Sequence, residues 1–364
     1  MKTFLNYHQN KLKILFISLL FVFIFYKLIG ELSSIDYKAT YIAFKSLQSY
    51  ELAGLIISGF LAVMLLSLYD FVLAKNLNLS IPKKKLLNTS FIANALNAVI
   101  GFGGIIGAGL RLLVYRNYAD DERTLVKAIS LLLISMISGM SILSLGIIFN
   151  LFNNTHAFDH YPWYNIALII TALFLPVFLV YTFIKPVNQD KLLGLKFTLV
   201  SALEWIAASG VMYLIFKCIG NPVPFAVVIG IFVVAALAGL ISLVPGGFGA
   251  FDLMILVGFK AIGITEEQVL LALLIYRVVY YFVPFLLALA LSTFEYRGVA
   301  RKQFEDRFED HKYVGPAIET SNLFLSILRD VIVKLPAIAL GVIVGITGLL
   351  LFLSNGLVII EAIY

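Results

Sequence analysis

Five ionisable residues lie within or beside long apolar runs of this chain: Asp70, Arg111, Glu204, Asp252 and Arg277. Facing lipid, a charged side chain of this kind would cost roughly 2.5–3.5 kcal/mol at a helix centre. The five are therefore expected to face the protein interior. Glu204 is the deepest, near the middle of its apolar run, with Ser201, Ala207 and Ala208 giving it a face of small residues. Arg277 is followed one helical turn later by Tyr280 and Tyr281. Ser90, Asn94, Asn97, Gly101 and Gly104 form a polar or small stripe at helical spacing. Carboxylates attract amines, whereas arginine and the N–H groups of a helix N-terminus attract phosphate. A headgroup bearing both, such as that of an aminoacylated phospholipid, matches this set. A zwitterionic metabolite or an ion matches the same chemistry, and the charges could instead pair with one another and lock helices together. Tyr115 and Tyr118 read as interface aromatics rather than ligands.

Two glycine-rich stretches must position these charges. The first runs from Gly101 through Gly103, Gly104, Gly107 and Gly109 to Arg111; the second runs from Pro245 through Gly246, Gly247 and Gly249 to Asp252. Each reads as Gly-Gly, a spacer, Gly-Ala, then a charge. Glycine interrupts helices, and broken backbone at membrane depth is tolerated only where protein or a watery cavity satisfies it. Close helix packing through small residues is the competing reading, and Gly103 and Gly107 have the spacing for it. It leaves Arg111 and Asp252 unexplained.

The surrounding sequence is that of an integral membrane protein. It is 61% hydrophobic and 13% charged, with a mean hydropathy of +0.98, which excludes an ordinary soluble globule. The net charge of +6 comes from short loops between apolar runs, so its expected neighbour is anionic lipid and not nucleic acid. Cys218 is the only cysteine, which excludes an intrachain disulfide. Apolar windows near 13–30, 51–74, 124–151, 163–184, 195–219, 267–293 and 333–354 approach the ~20 residues that cross hydrocarbon. The first carries Lys11 and Lys13 ahead of it and no small-x-small cleavage site behind it, which favours an uncleaved span over a signal peptide.

Loop charges orient these spans. Lys75 and Lys83 to Lys85, then Arg116, Arg123 and Lys127, then Lys185, Lys191 and Lys196, then Arg297 to Lys312 mark basic loops; 152–162 and 220–224 hold no Lys or Arg. Basic loops face the cytoplasm. The pattern is satisfied when 86–118 dips in and out from the cytoplasm and 225–262 does so from outside. The expected fold is thus all-α and polytopic, with about seven full spans and two re-entrant helical hairpins in an inverted-topology repeat. Residues 1–50 hold the first span and an outer loop, 51–151 the first repeat, 163–184 a linking helix, 195–293 the second repeat, 294–332 a basic cytoplasmic loop and 333–364 the last helix. Acidic starts at Asp120-Asp121-Glu122 and Thr265-Glu266-Glu267 open the helix after each hairpin.

At these residues the chain resembles the flippase part of the multiple peptide resistance factor (MprF) family of Gram-positive bacteria, also called lysylphosphatidylglycerol synthase or phosphatidylglycerol lysyltransferase. The resemblance rests on Ser67-Leu68-Tyr69-Asp70, on Asn94-Ala95-Leu96-Asn97-Ala98 with Gly101 to Arg111, and on Ser201-Ala202-Leu203-Glu204-Trp205. Val244-Pro245-Gly246-Gly247-Phe248-Gly249-Ala250-Phe251-Asp252 and Tyr276-Arg277 with Tyr280-Tyr281-Phe282-Val283-Pro284 complete it. It implies a bacterial plasma-membrane protein with a cytoplasmic N-terminus that moves aminoacylated phosphatidylglycerol to the outer leaflet, lowering surface charge and repelling cationic antimicrobial peptides. It implies translocation roles for Asp70, Arg111 and Glu204, and places Asp252 and Arg277 within family motifs. Asn94, Asn97, Tyr280 and Tyr281 complete the candidate substrate path, with Gly101, Gly103, Gly104, Pro245, Gly246, Gly247 and Gly249 as hairpin turns. No catalytic residue, metal or cofactor is expected. Compatible partners are the phospholipid substrate, a second copy of the chain, and a synthase domain or partner. Full-length family members continue into a cytoplasmic synthase domain. The polar stretch 294–330 is too short for one, so the chain reads as a stand-alone flippase or a fragment of the longer protein.

Overall fold

The computed structural model describes residues 47–100, 104–152, 162–241, 245–247 and 249–295. Among these residues the protein is a polytopic all-α assembly. Its helices, in chain order, are α1 (Ser49–Leu65), α2 (Ser67–Asn76), α3 (Lys83–Ile100), α4 (Ile105–Tyr115), α5 (Glu122–Ile148), α6 (Pro162–Ile184) and α7 (Leu193–Cys218). They continue with α8 (Phe225–Ile241), α9 (Ala250–Ala261), α10 (Glu266–Tyr276) and α11 (Val283–Glu295).

Five helical stretches are long and apolar enough to cross a membrane: Ser49–Asn76, Glu122–Ile148, Asn165–Ile184, Leu193–Cys218 and Glu266–Ser292. They coincide with five of the seven expected spans. The other two, near 13–30 and 333–354, lie outside the described residues, as do Gly101 and Gly103. The span Ser49–Asn76 is α1 and α2 run together, and Glu266–Ser292 joins α10 to α11 through a π-helical stretch, Arg277–Phe282. Pro284 accounts for that wider turn. It has no N–H to give the carbonyl one turn back, and its ring crowds the preceding turn, so the local register opens.

Each glycine segment folds into two helices packed on one another, α3 on α4 and α8 on α9. At ~1.5 Å per residue the 11-residue α4 and the 12-residue α9 reach only about 17 and 18 Å, well short of ~30 Å of hydrocarbon. The turns need glycine. Gly104 caps α4 at φ +83°, and Gly246, Gly247 and Gly249 all take positive φ. Such angles are nearly free for glycine and costly for any side chain.

Helix α8 is apolar on every side and is buried accordingly, with Val228, Ile231, Val233 and Ala235 sealed. In contrast, α6 exposes Ile166, Ile170, Leu173 and Val177, as a lipid-facing helix does. Helix α7 packs on α1, α2 and α5. Against α5 the approach is so close that a Cβ on Gly139 would lie 2.2 Å from the Ser201 carbonyl carbon. The Ser201 hydroxyl and the Trp205 indole both donate to the Met136 carbonyl at 2.8 Å, and the Gly139 N–H donates to Ser201 Oγ at 3.0 Å. These bonds fix the azimuth of α7, and with it the inward direction of Glu204.

Helix starts follow the expected chemistry. Asp121 caps α5 by accepting from the N–H groups of Arg123 and Thr124. The Thr124 hydroxyl and these N–H groups hold the Asp121 carboxyl below its ordinary value. At α10 the Thr265 N–H donates to the Gln268 side chain across the first turn.

Candidate functional site

Of the five charges expected to face inward, four form two separate ion pairs and Glu204 stands apart. The first joins α2 to the first hairpin. Asp70 accepts from Arg111 Nε and Nη2, both at 2.8 Å, from the Tyr115 hydroxyl at 2.8 Å, and from Ser90 Oγ. Arg111 Nη2 also donates to Asn94 Oδ1 at 2.8 Å, and Asn94 Nδ2 donates to Ser90 Oγ at 3.2 Å. Asp70, Arg111, Ser90 and Tyr115 are all 0% exposed. The sequence folds this way because Arg111 and Tyr115 are one turn apart on α4, as are Ser90 and Asn94 on α3. The hairpin turn brings those two faces together over Asp70.

Asn97 stands one turn beyond Asn94. Its Oδ1 accepts the Gly107 N–H at 2.8 Å, tying the start of α4 to α3, while its Nδ2 is buried without a partner. Arg111 Nη1 is likewise buried and unpartnered. Both donors belong to the first hairpin, and an unmet buried donor costs about 1–3 kcal/mol.

The second pair joins the second hairpin to the π-helical stretch. Arg277 Nη2 donates to both oxygens of Asp252, at 2.8 and 2.7 Å, and Nη1 donates to the Gly246 carbonyl at 2.9 Å. Asp252 in turn accepts the Gly249 N–H at 3.0 Å, closing the first turn of α9. The guanidinium lies 4.8 Å from the Tyr281 ring centroid and 5.4 Å from that of Phe251. Tyr276 stacks on Tyr280 at 5.1 Å, and Tyr280 meets Tyr281 edge-on at 5.3 Å. This pair is not sealed: the side chains of Arg277 and Asp252 are 9% and 12% exposed. Arg111 and Asp252 each find a partner on a neighbouring helix. The hairpins themselves do meet, α3 packing against the Pro245–Gly247 turn.

Glu204 belongs to neither pair. It is 7% exposed on α7 and accepts the Tyr69 hydroxyl at 2.7 Å. Among the described residues no Lys or Arg pairs with it. Since Tyr69 adjoins Asp70, one turn of α2 touches both the first ion pair and this lone acid.

Two site residues escaped the sequence reading. Tyr115 was expected at an interface, yet it is wholly buried and bonded to Asp70; its i+4 spacing from Arg111 was the available signal. Tyr69 carried no signal beyond its place beside Asp70. Tyr118 is half-buried, with Lys85 Nζ 3.3 Å from its hydroxyl and 5.4 Å from its ring centroid.

Comparison with known proteins places this geometry. Residues 194–288 match the family model described as the lysylphosphatidylglycerol synthase TM region. That stretch contains Glu204, the second hairpin and the Asp252–Arg277 pair. The chain is 46% identical over 97% of its length to a phosphatidylglycerol lysyltransferase of Staphylococcus haemolyticus (strain JCSC1435). It is 43% identical over the same share to the protein of that name from Staphylococcus aureus (strain MSSA476). In both cases it spans 42% of the relative's own length.

Proposed function

The chain belongs to the lysylphosphatidylglycerol synthase transmembrane family, and from that premise we propose that it is a flippase for aminoacylated phosphatidylglycerol in the bacterial plasma membrane. The cargo is lysylphosphatidylglycerol and the destination is the outer leaflet, where the added cation confers resistance to cationic antimicrobial peptides. The observation that carries the reading is the pairing of two glycine-turned helical hairpins with two Asp–Arg pairs, one sealed and one nearly so. In lipid-exposed helices such charges would be selected against. In a transporter, broken helices and buried charges at a repeat interface are where substrate binds.

In this mechanism the two hairpins are re-entrant and belong to inverted repeats that move against each other. The lysyl ammonium groups go to Glu204, which has no Lys or Arg partner among the described residues, and to Asp70 once Arg111 turns from it to the phosphodiester. Arg277 and Asp252, with Tyr280 and Tyr281, hold the headgroup in the outward half. Acyl chains stay in lipid. The Gly-rich turns have no Gly-Lys-Ser/Thr sequence, so the driving force is assigned to a gradient or to the lipid imbalance itself.

The test is reconstitution of the full chain in liposomes with fluorescent lysylphosphatidylglycerol and, separately, fluorescent phosphatidylglycerol. The lysyl lipid is expected to cross faster, and Glu204→Gln or Arg111→Ala to abolish the difference. Unchanged translocation in both variants overturns the charge path. Cysteine at Lys260 is expected to label from outside and cysteine at Lys185 from inside; labelling of position 260 from the cytoplasm removes the re-entrant hairpin. A second reading, that the chain is the membrane part of a lysyltransferase, is favoured by the relatives' names and their greater length. Formation of labelled lipid from lysyl-tRNA by the purified chain would establish it.

A further inference from the structure

Three acids stand inside the helix assembly, and they are not treated alike. Asp70 and Asp252 are each held by an arginine. Glu204, near the middle of α7, has neither arginine nor lysine, and its one hydrogen bond among the described residues comes from the Tyr69 hydroxyl. A carboxylate taken out of water with no cation and a single donor is unstable, and it neutralises by taking a proton or by meeting a cation. The residue keeps 7% exposure, an edge through which a proton can pass to water.

The neighbours of Glu204 leave that choice open. Helix α7 packs on α1, α2, α5, α6, α8 and α10. From α2 comes the Tyr69 phenol, and from the π-helical stretch comes Tyr280, within electrostatic reach of the acid. The Arg111 charge on α4 also reaches it, but that guanidinium is matched by Asp70. The acidic and basic residues of α1, α5 and α10 stand within the first two turns of those helices, and α6 and α8 have none. Glu204 also lies between the two ion pairs. Tyr69 adjoins Asp70 in sequence, and Tyr280 meets Tyr281, whose ring lies against the Arg277 guanidinium. Intramembrane acids in such polar chains are where proton relays are built.

We propose that Glu204 is a proton-binding site at which a proton and one ammonium group of the cargo replace each other, so that each lipid carried outward brings one proton inward. This rests on the flippase reading and names its driving force. In the empty site Glu204 is the neutral acid. When an ammonium group arrives from the inner leaflet, the Glu204 O–H bond breaks and the proton passes to water. The carboxylate then pairs with the ammonium, and the Tyr69 hydroxyl goes on donating to it. On the outer side a proton from water re-forms the O–H bond, and the ammonium leaves as it came. Asp70 and Asp252 do not take this part, because their arginines leave no uncompensated charge for a proton to neutralise. The lysyl lipid carries two ammonium groups and one phosphodiester, so its exchange for one proton moves no net charge and responds to the pH gradient alone.

The experiment takes two readouts on the full chain. In detergent, infrared difference spectra follow the C=O stretch of a protonated carboxyl. Wild type is expected to show a band that Glu204→Gln lacks, and lysylphosphatidylglycerol, but not phosphatidylglycerol, is expected to remove it. Tyr69→Phe keeps the acid and takes a donor from its charged form, so its band should persist at lipid concentrations that erase the wild-type one. In liposomes under a pH gradient of one unit, lysylphosphatidylglycerol should gather about tenfold in the acid-facing leaflet, the ratio that one-for-one exchange sets. With Glu204→Gln it should spread evenly. A band shared by wild type and Glu204→Gln, or untouched by the lysyl lipid, overturns the proton site and leaves the flippase reading standing. Even spreading of lipid that wild type does move overturns the exchange. Loss of the band with no lipid movement in wild type keeps the proton site and removes the flippase reading instead.

Discussion

The two ion pairs use the same residue types at the same kind of hairpin and yet sit in opposite surroundings. In the first, the hairpin supplies arginine to an aspartate on the preceding helix; in the second, it supplies aspartate to an arginine on the following helix. Asp70 and Arg111 are sealed from solvent, with four donors on one carboxylate. Asp252 and Arg277 keep some exposure, and aromatic faces replace part of the hydrogen bonding. On the proposed function, the difference separates a lock from a port. A sealed pair resists separation, because either charge alone would be stranded in low dielectric, and parts only for a headgroup that brings both charges at once. A pair with an open edge can exchange its partner for a headgroup while water or an aromatic face covers the change.

The strongest way to break this comparison is to remove one charge from the sealed pair. Asp70→Asn or Arg111→Leu alone should lower stability by about 3–5 kcal/mol, because the remaining group is left uncompensated. The double variant Asp70→Leu/Arg111→Leu should recover most of that loss. Denaturant or thermal unfolding in detergent reads both. If the single variants unfold like wild type, the pair is not a lock. The matching change at the port, Asp252→Asn, should cost less stability and slow translocation more.

Finer changes probe what surrounds each pair. Tyr115→Phe removes one donor from a buried carboxylate, a loss of about 1.5–3 kcal/mol for a hydrogen bond to a charged group. Tyr281→Leu removes one aromatic face from Arg277, a loss of about 0.5–2 kcal/mol. Their unfolding midpoints should fall in that order. The reverse order would mean that the second pair, and not the first, carries the structure.

The sequence made the spans and the broken helices legible because both are local. Twenty apolar residues announce a span, and Gly-Gly after an apolar run announces a turn. Helix starts at Asp121 and Thr265 were equally readable from their caps. Pairing was not. Asp70 and Arg111 are separated by a whole helix, and nothing in periodicity says which acid an arginine 41 residues away will meet. Tyr115 was misread for the same reason: an aromatic near a basic loop has the composition of an interface residue, and only the hairpin's closure turns it inward. The π-helical turn at Arg277 was half legible, since Pro284 foretells a disturbed register but not its form.

A third pair sets the scale against which the other two are measured. Lys196 and Asp190 meet at 2.6 Å in the loop before α7, with side chains 50% and 22% exposed. Partial burial pushes the Asp190 carboxyl up. The hydrogen bond from Lys196, the Leu192 N–H, the Lys196 charge and the Asn76 amide together outweigh it and hold the group below its ordinary value. A carboxyl depressed in the folded state stabilises above its unfolded value, and that contribution is lost as pH falls through the folded one. The stabilisation from Asp190 is therefore complete at neutral pH and disappears only in acid below the ordinary aspartate range. Solvent screening at Lys196 keeps it under about 1 kcal/mol. Asp190→Asn should shift the unfolding midpoint slightly at neutral pH and by nothing at the acid end. A loss as large as that of Asp70→Asn would mean that exposure does not set the strength of these pairs, and the distinction between lock and port would fall with it.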